Sequence, residues 1–331
     1  MNSLTVNLHL LMLSFYRPQG KRNKIIIEYP AFPSDQYAVD SQVEMHRLLA
    51  ADCIIELKPE TGTDIISTIQ IEKAIAEAGD ELALVMIGGV NYFTGQFFDL
   101  AKITKAAHAV GAIAGFDLAH AAGNVALQLH DWEVDFAVWC SYKYLNSGPG
   151  GTSGAFVHEK HGNNTELFRL AGWWGNDEKE RFQMNRQFKA QKGAAGWQMS
   201  NAQVLSMAAH HASLDIIAAA GFENLCKKSK KLTAFLEFLL IALNKKQSEP
   251  VFKIITPSNP TERGCQISIL SLKHGKQLHD DLTERGVVSD WRQPDGSDGH
   301  EGVIRVAPVP LYNTFEDVYQ FVHILEELIR A

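Results

Sequence analysis

The sequence predicts an α/β protein with a large domain built on a mostly parallel sheet and a smaller C-terminal α+β domain. Strand-like and helix-like segments alternate through the first half of the chain, which is typical of a parallel sheet covered by helices on both faces. Continuous apolar runs such as 82–89 (LALVMIGG) indicate strands that are buried on both faces. After about residue 248 the pattern changes to two strand-like segments, each followed by an amphipathic helix.

The elements of the large domain follow from these patterns in order. Residues 1–16 are apolar but too few to span a bilayer, so we expect a buried helix there. Strands are expected at 24–29, 53–59, 82–89, 112–117 and 135–141. Helices are expected at 34–50, 67–79 and 99–111. Ser34 is the candidate N-cap of the first of these helices, and Gly79 and Gly111 close the other two.

The second part of the chain is predicted to be helical before it enters the small domain. Residues 200–245 have a mainly helical pattern, and we place the domains at 1–247 and 248–331. Within the small domain we expect strands at 265–272 and 302–308 and helices at 275–286 and 314–330. Thr314 and Asp317 have the spacing of a capping box at the start of the last helix.

Composition excludes several classes of function. The net charge of -7, without a block of Lys or Arg, argues against nucleic acid or an anionic membrane as a partner. The four cysteines contain no CxxC pair, which argues against a zinc site or a disulfide framework, and we predict no metal. Unpaired cysteines are typical of a reducing compartment, so we expect a cytoplasmic protein.

A lysine and an aspartate follow two of the predicted strands. Asp117 ends the strand 112–117, and Lys143 lies in CSYKYLNSGPGG, directly after an apolar run. The carboxyl ends of parallel strands border the crevice in which open α/β sheets bind ligands. Pyridoxal phosphate requires a lysine for its Schiff base and an aspartate for its pyridine nitrogen, so the pair predicts a site for this cofactor. The alternatives are a surface lysine at a strand end and an aspartate that caps a helix.

Other residues fit the remaining parts of such a site. NSLT (2–5) places hydroxyls at the start of the first helix, where an anion is favoured, although Ser3 or Thr5 also suits a plain N-cap. The glycines of 147–151 would let the backbone approach a phosphate. Phe32 follows a strand and suits either stacking on a pyridine ring or core packing. Arg305 lies in an apolar strand and requires an anionic partner, either the α-carboxylate of an amino acid or a buried Asp or Glu.

Several longer stretches resemble the kynureninase family. They are AFPSDQYAVDSQ, YFTGQFFD, GFDLAHAAGN, DWEVDFAVWCSYKYLNSGPGG, GAFVHEKH and IRVAPVPLYN. The similarity covers nearly the whole chain, and residues 130–151 are specific to this family rather than to its fold class. The resemblance implies a pyridoxal-phosphate hydrolase of the aminotransferase-like fold, known as fold type I. It also implies an amino-acid substrate, with L-kynurenine or 3-hydroxykynurenine cleaved to anthranilate or 3-hydroxyanthranilate and L-alanine.

The resemblance further implies roles for individual residues. Lys143 matches the Schiff-base lysine, Asp117 the partner of the pyridine nitrogen, and Arg305 the arginine that holds the substrate α-carboxylate. Tyr142 matches a tyrosine that reaches the cofactor phosphate, and it is a candidate proton carrier. The other positions that match cofactor-binding residues are Leu4, Thr5, Phe32, Asp35, Gly88, His120, Trp173 and Asn201.

Two of these positions imply a homodimer with shared active sites. Trp173 and Asn201 match residues that approach the cofactor from the partner subunit, and Asn201 also matches a substrate-binding position. Gly88 stands where some relatives have a serine, so one hydroxyl contact to the cofactor is not expected here. The sequence SNAQ around Asn201 departs from the more usual proline-rich continuation, which we interpret as loop variation.

The family pattern also leaves alternatives. Its members carry a segment before the NSLT helix that helps to bind the aromatic end of the substrate, whereas this chain begins at Met1. We therefore expect one wall of the substrate pocket to be missing, and a catalytically inactive subunit that only dimerises is one alternative. Another fold type I enzyme, a cysteine desulfurase or a class V aminotransferase, is the second. Cys265 opens an apolar strand and is poorly suited to be the reactive cysteine of a desulfurase.

Overall fold

A six-stranded sheet forms the centre of the large domain. The computed structural model describes residues 1–164, 166–273, 275–293 and 302–330, so parts of the predicted small domain lie outside the described residues. The strands are β1 (Lys24–Glu28), β2 (Ile54–Leu57), β3 (Leu82–Gly88), β4 (Ile113–Asp117), β5 (Phe136–Trp139) and β6 (Gly154–Val157). Their order is β2-β1-β3-β4-β5-β6, and all neighbours are parallel except β6, which pairs antiparallel with β5. The predicted, mostly parallel sheet is confirmed.

The four longer helices of this domain lie close to where the sequence patterns predicted them, with one wrong cap, whereas the short helices Ala50–Cys53 and Glu159–Gly162 were not predicted. They are α1 (Leu4–Phe15), α2 (Pro33–Met45), α3 (Ala50–Cys53), α4 (Thr68–Ala78), α5 (Leu100–Ala109) and α6 (Glu159–Gly162). Ser34 is not the N-cap of α2, because Phe32 occupies that position and Pro33 supplies the first helical residue. Proline suits the first position of a helix because its fixed φ is helical and it lacks an N–H that would be left unbonded there. The helix also ends at Met45 rather than at residue 50.

The sheet is buried on both faces. On strand β3, Val85 and Ile87 pack with α4 and α5 on one face, whereas Leu84 and Met86 pack with α1 and α2 on the other. Side chains alternate between the two faces of a strand, so a strand covered on both sides must be apolar throughout. Helix α1 is itself mostly buried, which confirms the prediction for the first residues of the chain.

A second, antiparallel sheet organises the C-terminal part. Its strands are β7 (Phe252–Ile254), β8 (Ile267–Ser271), β9 (Asp290–Arg292) and β10 (Gly302–Val306), in the order β7-β8-β10-β9. The helices that precede or cover it are α7 (Val204–Ala220), α8 (Phe222–Lys245), α9 (Gly275–Glu284) and α10 (Phe315–Arg330). The capping box of α10 is confirmed: the Thr314 N–H donates to Asp317 Oδ2 at 2.8 Å and the Asp317 N–H to Thr314 Oγ1 at 3.1 Å.

Helix α8 packs against this second sheet. Leu232, Leu236, Leu240 and Leu243 share its core with residues of β8, β10 and α10. Their spacing of four, four and three residues places them on one face of the helix. The domain boundary at 247/248 stays a prediction, and the apolar face of α8 belongs with the C-terminal sheet.

Helix α7 is apolar and largely exposed. Only Ser213 and Ile217 of its residues are buried, and Val204 and Leu205 are among the most exposed apolar side chains of the described residues. In the described part of the chain no single helix has the length and apolarity to cross a membrane. The pair α7 and α8, bent by 76°, meets those criteria by length and composition only.

A buried aspartate fixes the start of β5, the strand that leads to Lys143. The side chain of Asp135 is 2% exposed, and it accepts hydrogen bonds from His108 Nε2 at 2.8 Å, His161 Nε2 at 2.7 Å and the Ala114 N–H at 2.8 Å. Lys160 Nζ lies 2.9 Å from Oδ1. Burial by itself raises the pKa of Asp135, but these four donors outweigh it and hold the pKa well below its usual range.

Asp135→Asn is expected to lower the free energy of unfolding by about 3 kcal/mol, because the amide leaves buried donors of α5, α6 and β4 without an ionised acceptor. The folded-state pKa of Asp135 is depressed, so this stability is present above the unfolded pKa of about 4 and is lost as the pH falls below it. Urea unfolding at pH 7 measures the effect. Asp131→Asn, at an exposed neighbouring position, is the control, and an equal loss in both variants would contradict the prediction.

Candidate active site

One cavity lies at the carboxyl edge of the large sheet. It is lined by Leu4, Thr5, Glu28, Phe32, Ser34, Asp35, Gly88, Val90, Tyr92, Asp117, Ala119, His120, Tyr142 and Lys143. The structure therefore brings together nine of the positions that the sequence singled out. The five lining residues that sequence reasoning missed are Glu28, Ser34, Val90, Tyr92 and Ala119.

Asp117 and Lys143 face the cavity from the ends of neighbouring strands. Asp117 is the last residue of β4 and is 6% exposed, and its Oδ1 accepts a 2.6 Å hydrogen bond from the Ala119 N–H. Burial raises the pKa of Asp117, whereas the Ala119 N–H and the positive charge of Lys143 lower it. Lys143 lies in the loop after β5, with Nζ 5.6 Å from the centroid of the Phe32 ring. The carboxylate, the amine and the aromatic ring can thus contact one bound molecule.

Two further carboxyl groups lie beside Asp117. Glu28 ends β1 and is 6% exposed, and its Oε1 accepts a 3.0 Å hydrogen bond from the Gly88 N–H. Burial, with a smaller contribution from the charge of Asp117, raises the pKa of Glu28 to about 7 against two backbone hydrogen bonds that lower it. The pKa of Asp35 is raised well above its usual range by burial, by the charges of Asp117 and Glu28, and by a hydrogen bond to Asp117. Burial therefore favours protons on this group of carboxyls, whereas Lys143 and the Ala119 N–H favour the ionised form at Asp117.

Gly88 allows Glu28 to reach the cavity. A Cβ at position 88 would lie 2.8 Å from Glu28 Oε1, which is closer than real Cβ contacts. A larger residue at this position would displace the carboxyl group of Glu28. Glycine at position 88 therefore leaves the space that the Glu28 carboxyl group occupies. The sequence analysis did not identify this pair of residues.

His120 is held neutral at the edge of the same cavity. Burial and the nearby charges of Lys143, Arg305 and Arg292 keep its pKa well below the usual range. Its Nδ1 is buried and has no hydrogen-bond partner among the described residues. Burial of a polar nitrogen without a partner is unfavourable, so this atom is suited to a polar group of a bound ligand.

The opposite end of the cavity is formed by the N-terminus of α1. Leu4 and Thr5 line it, and Ser3 occupies the N-cap position without a side-chain hydrogen bond to the helix. The first N–H groups of a helix have no partner within the helix, and they favour an anion. The predicted phosphate role of the glycines at 147–151 is not supported, because these residues lie outside the cavity lining and close a turn in which the Gly151 N–H donates to Gly148 O.

Arg305 lies on β10, behind the cavity wall formed by Tyr92. Its Nε donates to Asp290 Oδ2 at 2.7 Å, its Nη2 contacts the same oxygen, and its Nη1 donates to the backbone carbonyl of Tyr92 at 2.6 Å. Of the two partners predicted for Arg305, the structure shows an aspartate. The ring of Tyr92 packs edge-on against Phe32, with centroids 5.3 Å apart, so Arg305 lies one residue away from the cavity.

Trp173 and Asn201 are not part of this cavity. Trp173 is 42% exposed and packs edge-on against Phe182 with centroids 5.9 Å apart, and Asn201 is exposed. Their predicted approach to the cofactor requires a second subunit and stays a prediction.

The cysteines do not support sulfur chemistry at this site. Cys53, Cys140 and Cys265 are buried, and Cys226 lies half-buried on α8. Cys140 is 1% exposed and packs as a small apolar residue. Burial raises the pKa of Cys265 to about 12, so this thiol stays protonated and unreactive at neutral pH.

Comparisons with known proteins agree on one family. Residues 225–325 match the family model described as the kynureninase C-terminal domain. Kynureninase of Flavobacterium johnsoniae is 53% identical over 99% of this chain and 75% of its own length. Kynureninase of Myxococcus xanthus is 52% identical over 98% of this chain and 74% of its own. Kynureninase of Nematostella vectensis is 48% identical over 100% of this chain and 71% of its own length.

Solved structures show the same fold at low sequence identity. The apo cysteine desulfurase of Thermococcus onnurineus superposes with a TM-score of 0.76 at 19% identity, over 99% of this chain and 78% of that one. A C-DES variant with glycine covalently linked to its pyridoxal phosphate cofactor superposes with a TM-score of 0.78 at 15% identity, over 98% of this chain and 79% of that one. These likenesses establish the predicted fold type I architecture, and at this identity they carry no argument for sulfur chemistry.

Glu28→Gln is expected to flatten the dependence of stability on pH. Because the folded-state pKa of Glu28 is raised, the folded chain binds its proton more tightly, and stability falls as the pH rises from about 4.5 to about 7. Glutamine keeps an acceptor for the Gly88 N–H but cannot ionise. Between pH 5 and pH 8 the wild type should lose about 3 kcal/mol more than the variant, as measured by urea unfolding without added cofactor.

The exposed Glu56→Gln on β2 is the matched control and should follow the wild type at both pH values. Equal losses of stability in the wild type and in Glu28→Gln would contradict the raised pKa of Glu28.

Proposed function

Because the chain belongs to the kynureninase family, we propose that it hydrolyses L-kynurenine or 3-hydroxykynurenine to anthranilate or 3-hydroxyanthranilate and L-alanine, with pyridoxal phosphate as cofactor. The observation that supports this most directly is the meeting of buried Asp117, Lys143 and the Phe32 ring in one cavity. We place the reaction in tryptophan catabolism, on the kynurenine route towards pyridine nucleotides.

The residues that line the cavity suit both the phosphate and the pyridine ring of pyridoxal phosphate. The N-terminus of α1, at Leu4 and Thr5, suits the phosphate dianion. Asp117 suits a protonated pyridine nitrogen, and the buried, unpartnered Nδ1 of His120 suits a polar group of the ring. Phe32 offers an aromatic face, and 40% of its surface is exposed for stacking. This donor set matches an aromatic cation that carries a phosphate.

Bound pyridoxal phosphate supplies an electron sink for carbanion chemistry at the substrate. Lys143 Nζ would bind the cofactor aldehyde, and as the one lysine in the described cavity lining it would also move the proton of the substrate α-carbon. Asp117 stabilises positive charge on the pyridine ring through a carboxylate that is itself oriented by the Ala119 N–H. Arg305 binds the substrate α-carboxylate next to Tyr92.

Tyr142 is suited to proton donation in the same reaction. Burial raises its pKa to about 12, so the phenol remains protonated at neutral pH. After water adds to the γ-carbonyl and the Cβ–Cγ bond breaks, the β-carbon requires a proton, and the Tyr142 hydroxyl borders the cavity from which that proton must come.

We further propose a cytoplasmic homodimer with shared active sites. The exposed apolar surface of α7 and the exposed aromatic side chains of Trp173 and Phe182 support this proposal, because surfaces of this kind mark protein contacts. Trp173 and Asn201 would then complete the cavity of the partner subunit. The C₂ symmetry usual for such dimers would make two equivalent sites.

Lys143→Ala is expected to abolish turnover of L-kynurenine, because no other lysine lines the described cavity to bind the cofactor aldehyde. Anthranilate fluorescence follows the reaction in the presence of pyridoxal phosphate. Lys105→Ala, on the exposed face of α5, is the control and should retain activity. Near-normal turnover by Lys143→Ala would show that the lysine is wrongly assigned.

Mixing two inactive variants tests the shared sites. In a heterodimer of Lys143→Ala and Asn201→Ala subunits, one of the two sites combines the intact Lys143 of one chain with the intact Asn201 of the other. Half of the dimers are hybrids after random re-association, so about a quarter of the wild-type activity should return. Sites contained within one subunit would give no recovery beyond the activity of the separate variants.

A further inference from the structure

Arg305 uses most of its hydrogen-bonding capacity within the protein. A guanidinium group carries five N–H donors. Three of them are engaged: Nε and Nη2 with Asp290 Oδ2, and Nη1 with the carbonyl oxygen of Tyr92. Among the contacts made by the described residues, one N–H therefore remains on each terminal nitrogen, and two donors are what the two oxygens of a carboxylate require.

The partners of Arg305 are themselves fixed. The carbonyl of Tyr92 also accepts a 3.0 Å hydrogen bond from Gln266 Nε2, and the Cζ of Arg305 lies 5.8 Å from the centroid of the Tyr92 ring. The same ring packs against Phe32. The guanidinium group is thus held at a defined position relative to the aromatic ring that borders the cofactor cavity.

Asp290 is held between two arginines. The antiparallel register of β9 and β10 places Asp290 directly opposite Arg305, and Asp290 Oδ1 lies 3.1 Å from Nη2 of Arg292. The side chain of Arg305 is 12% exposed and that of Asp290 40% exposed. Solvent therefore reaches the Asp290 carboxylate more readily than the guanidinium group, which lies behind Tyr92.

We propose that Asp290 is a positioning residue, which orients Arg305 so that its two remaining N–H groups receive the α-carboxylate of the amino-acid substrate. This inference rests on the proposed function in one respect, namely that the substrate carboxylate binds Arg305. Asp290 itself touches neither the substrate nor the cofactor. Its contribution is to keep a flexible, long side chain in the one arrangement that presents both donors.

If Asp290 instead competes with the substrate for Arg305, its removal should strengthen substrate binding rather than weaken it. A carboxylate already bound to Arg305 can also act as an internal competitor that the substrate must displace. Removing a competitor, and with it a negative charge, should tighten the binding of an anionic group. Removing a positioning residue should weaken that binding in spite of the favourable change in charge. The direction of the change therefore separates the two roles.

The experiment measures the binding of L-alanine and the turnover of L-kynurenine by the pyridoxal-phosphate form of four proteins: wild type, Asp290→Ala, Asp290→Asn and Arg305→Ala. L-Alanine is released by the proposed reaction and is not consumed, so its Kd from calorimetry does not depend on catalysis. For Asp290→Ala we expect Kd and KM to rise about tenfold while kcat changes less than about threefold, since only ground-state binding is affected. Asp290→Asn keeps one acceptor for Arg305 and should lie between this variant and the wild type.

Asp281→Ala is the control, because it removes a negative charge from α9 and its side chain bonds Gln277 rather than Arg305. Its Kd and KM should equal those of the wild type. An unchanged or lower Kd in Asp290→Ala, together with weakened binding in Arg305→Ala, overturns the positioning role and leaves the proposed function intact. An unchanged Kd in Arg305→Ala overturns the positioning role together with the assignment of Arg305 to the α-carboxylate, whereas the proposed function is overturned only if the wild type does not turn over L-kynurenine.

Discussion

The burial of carboxyl groups at the carboxyl edge of the large sheet constrains this site more than any other interaction. Glu28, Asp35 and Asp117 lie in one desolvated crevice, and Lys143 is the one lysine or arginine among the described residues that line it. Three ionised carboxylates next to one cation would be unfavourable in a low dielectric, so protons must be shared among them. The raised pKa values of Glu28, Asp35 and Asp117 agree with this requirement, and at Asp117 the Ala119 N–H and the charge of Lys143 oppose the shift.

The buried carboxyl groups are held in place by the strands that carry them. Asp117 and Glu28 are the last residues of β4 and β1, and each is oriented by a backbone N–H, of Ala119 and Gly88 respectively. A carboxylate that is already oriented and desolvated interacts more strongly with a positive ring than one that must first lose water. The apolar strands that end here exclude water from the crevice, and the fold thereby contributes directly to the electrostatics of the site.

Much of this arrangement could be predicted from the sequence, because the signals were local. The end of β4 at Asp117, the loop that carries Lys143 and the apolar β3 all follow from short patterns of residue types. Glu28 carried the same signal as Asp117, a carboxylate at the end of a parallel strand, and the same reasoning would have found it. The pairing of Arg305 with Asp290 could not be found in this way, since it depends on the register of the three-residue strand β9. Ser34 was wrongly chosen as a cap, because Pro33 is the first helical residue and the cap is therefore Phe32, two residues earlier.

The loop that follows β3 contacts the small sheet, and this contact holds the cavity and Arg305 in a fixed relation. The carbonyl groups of residues 92–94, which follow β3, accept side-chain hydrogen bonds from Gln266, Ser268, Thr256 and Arg305. Gln266, Ser268 and Thr256 are buried, so water does not easily replace these bonds when they break. Movement of the small sheet relative to this loop would cost several such bonds at once. The loop carries Tyr92, which packs against Phe32, so a displacement of the small sheet would disturb the cavity wall as well as the position of Arg305. The roles proposed for Arg305 on the small sheet and for Lys143 on the large one therefore both depend on the position of this loop.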